Sequence, residues 1–478
     1  MRDYTRPAMK RPAVTRLTRL VAALAAAVGI MALLLPATLA ASKPSPLARA
    51  LDFLSSQQLT QPLDVVVDGN RVLDFEGDWP QSFGLRGVDW FRVRDVSPFV
   101  VAFIHHALTQ LVEANRRELG LSATQLWSAR LMRQRAIAFM RRFESPAGQA
   151  DAGTYGFWPY DVYPGVPNPL VAFFFTAWLG GPQLGGQRVP INLPVFPDAL
   201  AIPSDADVTA TTYASLFDDA LFDGGPGTEV AFERFFVDWR DRGLVPRREN
   251  PPWLPSGSGA YLTWLTYRSD GQVFPNDVDL VVNGNVLYAL GRTHRLGVAG
   301  TTEAAALINL TAALGLHLTD MRALSSYYPD NLAFQFIVSR AFHDGHVAAL
   351  APAVTIFATD LETSVRYRAD GTAFWDHGDP QLNTAFAVLT LLNAGRESPI
   401  VDQAIDYLVA EQRASGGFDD AVFFVGRADN GQEFQFTSAS FTTAMALEAF
   451  ARHDLQHCGG PGSTLATRAP CPKPRVVE

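Results

Sequence analysis

One alternation runs through this chain and limits what it can fold into. An amphipathic helix is followed by a loop carrying Gly and an aromatic residue, and then by a helix that is apolar nearly all round and starts with Asp, Asn, Ser or Thr. The stretch Asn276 to Gly291, NDVDLVVNGNVLYALG, shows the apolar kind. Val281, Val282, Val286, Leu287 and Leu290 make its apolar band, Asp277, Asp279, Asn283 and Asn285 lie on its polar side, and Gly291 is a natural stop. A helix apolar on most sides must be covered by other helices, so the alternation predicts two concentric layers. Inner helices are expected to start near Asp95, Pro169, Asp205, Asn276, Asp330, Leu382 and Thr437. With about six turns of the unit, the natural closure is an all-α fold, a single α/α toroid of paired inner and outer helices with long loops at one mouth. An open solenoid is the alternative. No run has convincing period-two alternation, so little strand is expected beyond short hairpins.

The loops between these helices hold the aromatic residues Trp79, Trp90, Trp158, Tyr160, Phe274, Phe374, Trp375 and Phe418. In a ring they would gather at one mouth. There their faces could stabilise a cation or stack on a ligand, or they could plug the gaps between helix pairs. Trp79, Trp158, Phe374 and Trp375 are the aromatic candidates for ligand contact, beside Asp277, Asp279, Asn283 and Asn285.

Two patches resemble a known family. Ala404 to Phe418, AIDYLVAEQRASGGF, looks like the glutamine–aromatic repeat of the squalene–hopene cyclase and protein prenyltransferase superfamily, with Gln412, Gly416 and Phe418 at its spacing and Phe in place of the usual Trp. Phe53 to Gln57 echoes the helix end of that repeat, interrupted by a long insert, and Gly371 to Trp375 echoes its loop. The resemblance implies an α/α toroid. The second patch, Asp205-Ala206-Asp207-Val208-Thr209-Ala210, resembles the Asp-x-Asp-Asp-Thr-Ala motif of class II terpenoid cyclases, whose middle Asp protonates an alkene or epoxide. By position that acid is Asp207, with Asp205 as the first Asp and Val208 where the last would stand. Helix capping is the other use for an Asp here. The resemblance implies a small isoprenoid or similar apolar ligand. A non-catalytic ligand-binding toroid and a carbohydrate-active enzyme with paired carboxylates, Asp207 with Asp277 or Asp279, are the rival readings.

No cofactor is expected. The prenyltransferases hold zinc with Asp, Cys and His; Asp277 and Asp279 have similar spacing here, but no Cys accompanies them. Those two, or His377 with Asp379, would suit calcium, manganese or magnesium better. His105-His106 lies inside an apolar helix and, as adjacent residues, makes no clamp. There is no Gly-x-Ser-x-Gly elbow, Walker loop, dinucleotide fingerprint or His-Glu-x-x-His. The net charge of −9 argues against nucleic acid as a partner, and oligomeric state is not legible.

Residues 1–40 read as a signal peptide. Arg2, Arg6, Lys10, Arg11, Arg16 and Arg19 precede an uncharged run from Leu20 to Leu35, and small residues end at Ala40. An uncleaved anchor is the alternative, and would be the only membrane contact. The domain then spans about 43–455, followed by a Gly/Pro-rich tail, 456–478, with Cys458 and Cys471 as a plausible disulfide in an exported, periplasmic or secreted, protein. Mass spectrometry of the mature chain is expected to find an N-terminus near Ala41 and one closed disulfide. An intact N-terminus with free thiols would refute both.

Overall fold

The computed structural model describes residues 44–67, 70–86, 92–113, 119–147, 151–157, 183–184, 187–188, 204–225, 230–244, 251, 253–265, 276–328, 330–427 and 433–457. The leader, the helix expected near Pro169, Trp158 and both cysteines lie outside these residues. Single turns aside, the helices are α1 (Pro46–Gln57), α2 (Pro98–Glu113), α3 (Ala123–Met140), α4 (Ala206–Asp223), α5 (Glu233–Asp238), α6 (Leu280–Arg292), α7 (Thr301–Ala313), α8 (Asn331–His343), α9 (Ala351–Ser364), α10 (Pro380–Asn393), α11 (Pro399–Glu411) and α12 (Ala439–His457).

The even-numbered helices are the apolar ones and are buried along most of their length. They pack in a cycle: α2 on α4, α4 on α6, α6 on α8, α8 on α10, α10 on α12, and α12 back on α2. Most odd-numbered helices cover the joints. Thus α1 lies on α12 and α3, α3 on α2 and α4, α7 on α6 and α9, α9 on α8 and α10, and α11 on α10 and α12. Among the described residues no helix is long and apolar enough to cross a membrane.

Three of the even helices begin with an Asp side-chain cap, because their first N–H groups have little water to turn to. Asp205 accepts from Val208 N at 2.7 Å, Asp279 from Val281 N and Val282 N at 2.8 and 3.1 Å, and Asp330 from Leu332 N at 2.9 Å. A second device ties each loop to the helix it precedes. The backbone N–H of the loop aromatic donates to a side chain in the first turns: Tyr155 to Thr209, Tyr261 to Asn283, Trp375 to Thr384 and Phe418 to Thr443.

The glutamine–aromatic repeat joins neighbours in the outer layer. Gln412 Nε2 donates to Gly416 O at 2.8 Å, closing its own loop, and to Pro46 O of α1 at 2.9 Å. The other copy uses Gln58, one residue beyond the Gln57 read from sequence. Gln58 Nε2 donates to Gly77 O at 3.2 Å and to Met132 O of α3 at 2.9 Å. Trp79 completes it, its indole N–H on Leu54 O at 2.8 Å. The hairpin of β1 (Leu63–Val67) and β2 (Asn70–Asp74) separates that glutamine from its glycine. Because Gln412 reaches Pro46, the repeat also joins the end of α11 to the start of α1.

The expectation of little strand is corrected. β3 (Gln81–Leu85), β4 (Arg92–Asp95), β5 (Gln183–Leu184), β6 (Gln187–Arg188), β9 (Val422–Arg427) and β10 (Glu433–Thr437) form one six-stranded sheet, ordered β5-β6-β4-β3-β10-β9. Its centre pairs β3 with β10, Phe83 opposite Phe436, and that long-range pairing leaves no local sequence signal. A short alternation was there to read in Glu433-Phe434-Gln435-Phe436, whose two Phe side chains are buried. β4 leads into α2 and β10 into α12, so the sheet sits where inner helices start. β7 (Arg366–Tyr367) and β8 (Ala373–Phe374) make a small hairpin.

The repeat ties carry a stability prediction. Gln58→Ala and Gln412→Ala each strand two backbone carbonyls and should cost about 1–3 kcal/mol. Gly77→Ala and Gly416→Ala should cost more, because a Cβ there collides with the carbonyl oxygen of Arg135 or Arg49 and both glycines have positive φ. Urea melts check this; losses no larger than those of surface alanines would mean the ties are incidental.

Candidate functional site

The start of α4 builds the centre of the site. Asp205 caps the helix from outside its first turn, so Asp207 falls within that turn and faces the neighbouring helices. Both are buried, at 5% exposure each. Asn285 Nδ2, from α6, donates to Asp207 Oδ1 at 2.5 Å. The Tyr328 hydroxyl, just ahead of α8, donates to Oδ2. Arg340, on α8, donates to Asn285 Oδ1 at 2.5 Å. A guanidinium can only donate, so it holds the amide oxygen toward itself and the amide nitrogen toward Asp207.

Arg340 is itself wrapped by rings, its guanidinium carbon 4.2 Å from the centroid of Phe103 and 4.3 Å from that of Tyr288. From Tyr328 the rings continue without a break. Tyr328 contacts Phe99 and Phe424; Phe99 contacts Phe103 and Phe423; Phe103 contacts Phe336 and Phe441. Asp207 therefore stands at the edge of an aromatic shell.

Burial dominates the electrostatics. It raises Asp207 from 3.8 to about 6, against the lowering effects of the Tyr328 and Asn285 bonds and of the Arg340 charge. Asp279 rises to about 7, again through burial first, with the Asp277 charge adding to it. Asp205 is pushed well above its ordinary value by burial and then by the Asp207 charge. Tyr328 is pushed far up, by burial first and then by the charge of Asp207, so its hydroxyl keeps its proton. Accepting backbone N–H bonds as a cap lowers a carboxyl's pKa. Asp205 and Asp279 are caps and are raised all the same, because desolvation outweighs the N–H bonds they accept.

The other residues singled out in the sequence fall as follows. Asp279 spends one oxygen on the α6 cap and accepts at the other from Ser325 Oγ at 2.5 Å and Ser326 N at 3.0 Å. Asp277 accepts from the Tyr327 hydroxyl at 3.1 Å. Asn283 pairs both ends of its amide with the backbone of Tyr261. Trp79 and Trp375 are fully buried, with indole N–H groups on Leu54 O and Leu361 O, and so take the place of plugs rather than of ligand contacts. Phe374 is half-buried and stacks on Tyr407 of α11. His377 lies 3.6 Å from Asp330, while Asp379 accepts from Val422 N, so these two serve different partners. Tyr328 and Arg340 were missed. The signal for Arg340 was a lone charge inside the otherwise apolar run NLAFQFIVSRAF; Tyr328 had none.

No family model matches the sequence, and no curated protein matches it. Solved structures do. The type II terpene cyclase MstE from Scytonema, without ligand, is 13% identical with a TM-score of 0.46, covering 86% of this chain and 97% of that one. A variant of MstE in complex with geranylgeranyl dihydroxybenzoate, its substrate, is 13% identical with a TM-score of 0.45, covering 86% and 96%. At those scores the likeness carries no argument, and the functional reading rests on the side chains around Asp207.

The raised Asp207 pKa is testable without a substrate. A carboxyl whose folded pKa is raised binds its proton more tightly folded than unfolded, so its contribution to stability is lost as pH rises from 3.8 toward 6. Asp207→Asn removes that loss. Relative to wild type, the variant should gain about 3 kcal/mol between pH 3.5 and pH 8. Denaturant melts at both pH values check this, and a pH-independent difference would mean that Asp207 titrates normally.

Proposed function

We propose that the helix cycle is an α/α toroid holding an isoprenoid or similar apolar chain, and that Asp207 protonates it to start a cyclisation. The observation that carries this reading is the setting of Asp207. It is a buried carboxyl whose pKa is raised to about 6, has fixed donors and a cation ready for the anion it leaves behind, and adjoins a shell of aromatic faces.

The chemistry follows from that setting. An alkene is a weak base, so the acid must hold its proton until substrate arrives and then release it into a place where the carboxylate is stabilised. As the O–H bond of Asp207 breaks, the alkene π pair forms a new C–H bond and leaves a carbocation on the neighbouring carbon. Tyr328 and Asn285 bond the resulting carboxylate, and Arg340 supports it through Asn285. Rings of the kind provided by Phe99, Phe103 and Phe424 attract a cation without reacting with it as a base would. Loss of a proton from the final cation balances the step. The buried state of Asp205, Asp207, Asp277 and Asp279 favours this reading over a carbohydrate-active one, which needs carboxylates open to a hydrated sugar.

Turnover of geranylgeranyl-type chains, run in D2O and followed by mass spectrometry, tests the proposal. One solvent-derived deuterium should enter each cyclic product, and Asp207→Asn should abolish turnover while keeping the fold. The rate should fall about tenfold per pH unit above about pH 6, as the acid loses its proton. Chains that bind but do not turn over in wild type would establish a carrier. Turnover retained in Asp207→Asn would remove Asp207 from the chemistry.

A further inference from the structure

A second group of reactive side chains lies away from Asp207. His106 is in the second half of α2, Glu448 is midway along α12, and Asp344 directly follows α8. The three come together in the interior. His106 Nε2 lies 3.3 Å from Asp344 Oδ2 and 3.4 Å from Glu448 Oε1. His106 is 3% exposed and Glu448 0%.

Those spacings are informative. A nitrogen donor bonded to a carboxylate oxygen sits at about 2.7–3.2 Å. Donor atoms sharing a tetrahedral ion at about 2.0–2.1 Å are about 3.3–3.4 Å apart. His106 Nε2 has no hydrogen-bond partner among the described residues, and neither has Glu448 Oε2. Both are buried, and His106 Nε2 faces the two carboxylates as an ion-pair neighbour without the alignment of a hydrogen bond. On the other side of the ring, His106 Nδ1 meets the Tyr288 hydroxyl at 2.9 Å. That is the arrangement that fixes an imidazole for ligation through its second nitrogen.

We infer that His106, Asp344 and Glu448 bind a divalent transition-metal ion of zinc-like preference. Glu448 supplies both oxygens, so one nitrogen and three oxygens close a four-coordinate site. Arg452 bonds Glu448 Oε1 at 2.9 Å and also bonds Asp344 Oδ2. Each of those oxygens has two lone pairs, so Arg452 can orient the carboxylates and leave them free to ligate. Charge closes as well. The two charges of the ion match the two carboxylates of Asp344 and Glu448. In the helix cycle α8 is next to neither α2 nor α12, so the ion would add a link across the interior to those that Phe103–Arg340 and Arg452–Asp344 already make. The role is structural and independent of Asp207.

The test uses the full chain. Metal content is measured as purified, after chelator stripping, and after titration with Zn2+ or Co2+, alongside melting temperature. About one ion per chain is expected, with a ligand-field spectrum of tetrahedral Co2+ and a rise in melting temperature on reloading. His106→Ala and Glu448→Gln should lose the ion, and Tyr288→Phe should weaken binding about 10–100-fold. If the ligand variants do not fold, the wild-type and Tyr288→Phe titrations decide. The inference is overturned if stripped wild type binds neither ion. It is equally overturned if binding survives in all three variants, or if NMR finds His106 protonated at neutral pH as the cation of a metal-free ion network.

Discussion

The structure depends on how helices that are apolar on every side begin. Each must present its first N–H groups to something, and inside a double layer that something cannot be water. The chain solves this with side chains carried into the interior: Asp205, Asp279 and Asp330 as caps, and Thr209, Asn283, Thr384 and Thr443 as acceptors for the loop before each helix. Asp205 and Asp279, used in this way, are desolvated by the same packing that buries the helix. Burying the helix starts thus raises Asp205 and Asp279 above the ordinary carboxyl range whatever role they serve.

A cap and an acid are nevertheless different things. Asp279 receives four hydrogen bonds, two from its own helix and two from Ser325 and Ser326. Every lone pair that could face a ligand is already engaged. Asp207 caps nothing, and its two partners are side chains from α6 and from the approach to α8. It is held across the interior rather than along its own helix. The residue beside a cap, and not the cap, is the one free to act.

The layer pattern was legible because apolar helices with polar starts differ in composition from their amphipathic neighbours. Six of the seven expected inner helices lie within a few residues of their observed starts, and the seventh, near Pro169, falls outside the described residues. Strand pairing was not legible. Phe83 and Phe436 meet across most of the chain length, and nothing local in either predicts the other. The same limit applies to the site. Asp207 and Asn285 each stood out by composition, but their bond is a tertiary fact. Tyr328 lies in a Ser/Tyr loop indistinguishable in sequence from a solvent turn. The lone charges of Arg340 and Glu448 in apolar runs carried the better signal, because a charge on a covered helix must have a partner.

The arrangement of cations decides what each buried carboxyl can do. Burial alone would leave Asp205, Asp207 and Asp279 as reluctant acids, since the energy that holds the proton also opposes its release. Asp207 is the one of the three whose lowering influences include a cation, Arg340, acting from beyond Asn285. Distance matters here. A guanidinium bonded directly to the carboxylate would drive it permanently ionised, as Arg452 does for Asp344, whose carboxyl stays well below its ordinary range despite full burial. Set one amide away, Arg340 stabilises the anion without displacing the proton. The amide also fixes direction: Asn285 must donate to Oδ1, so a proton on Asp207 belongs on Oδ2, the oxygen that also accepts from the Tyr328 hydroxyl. One intervening side chain thus separates an ion pair, useful for holding helices together, from a buried carboxyl whose pKa is raised to about 6.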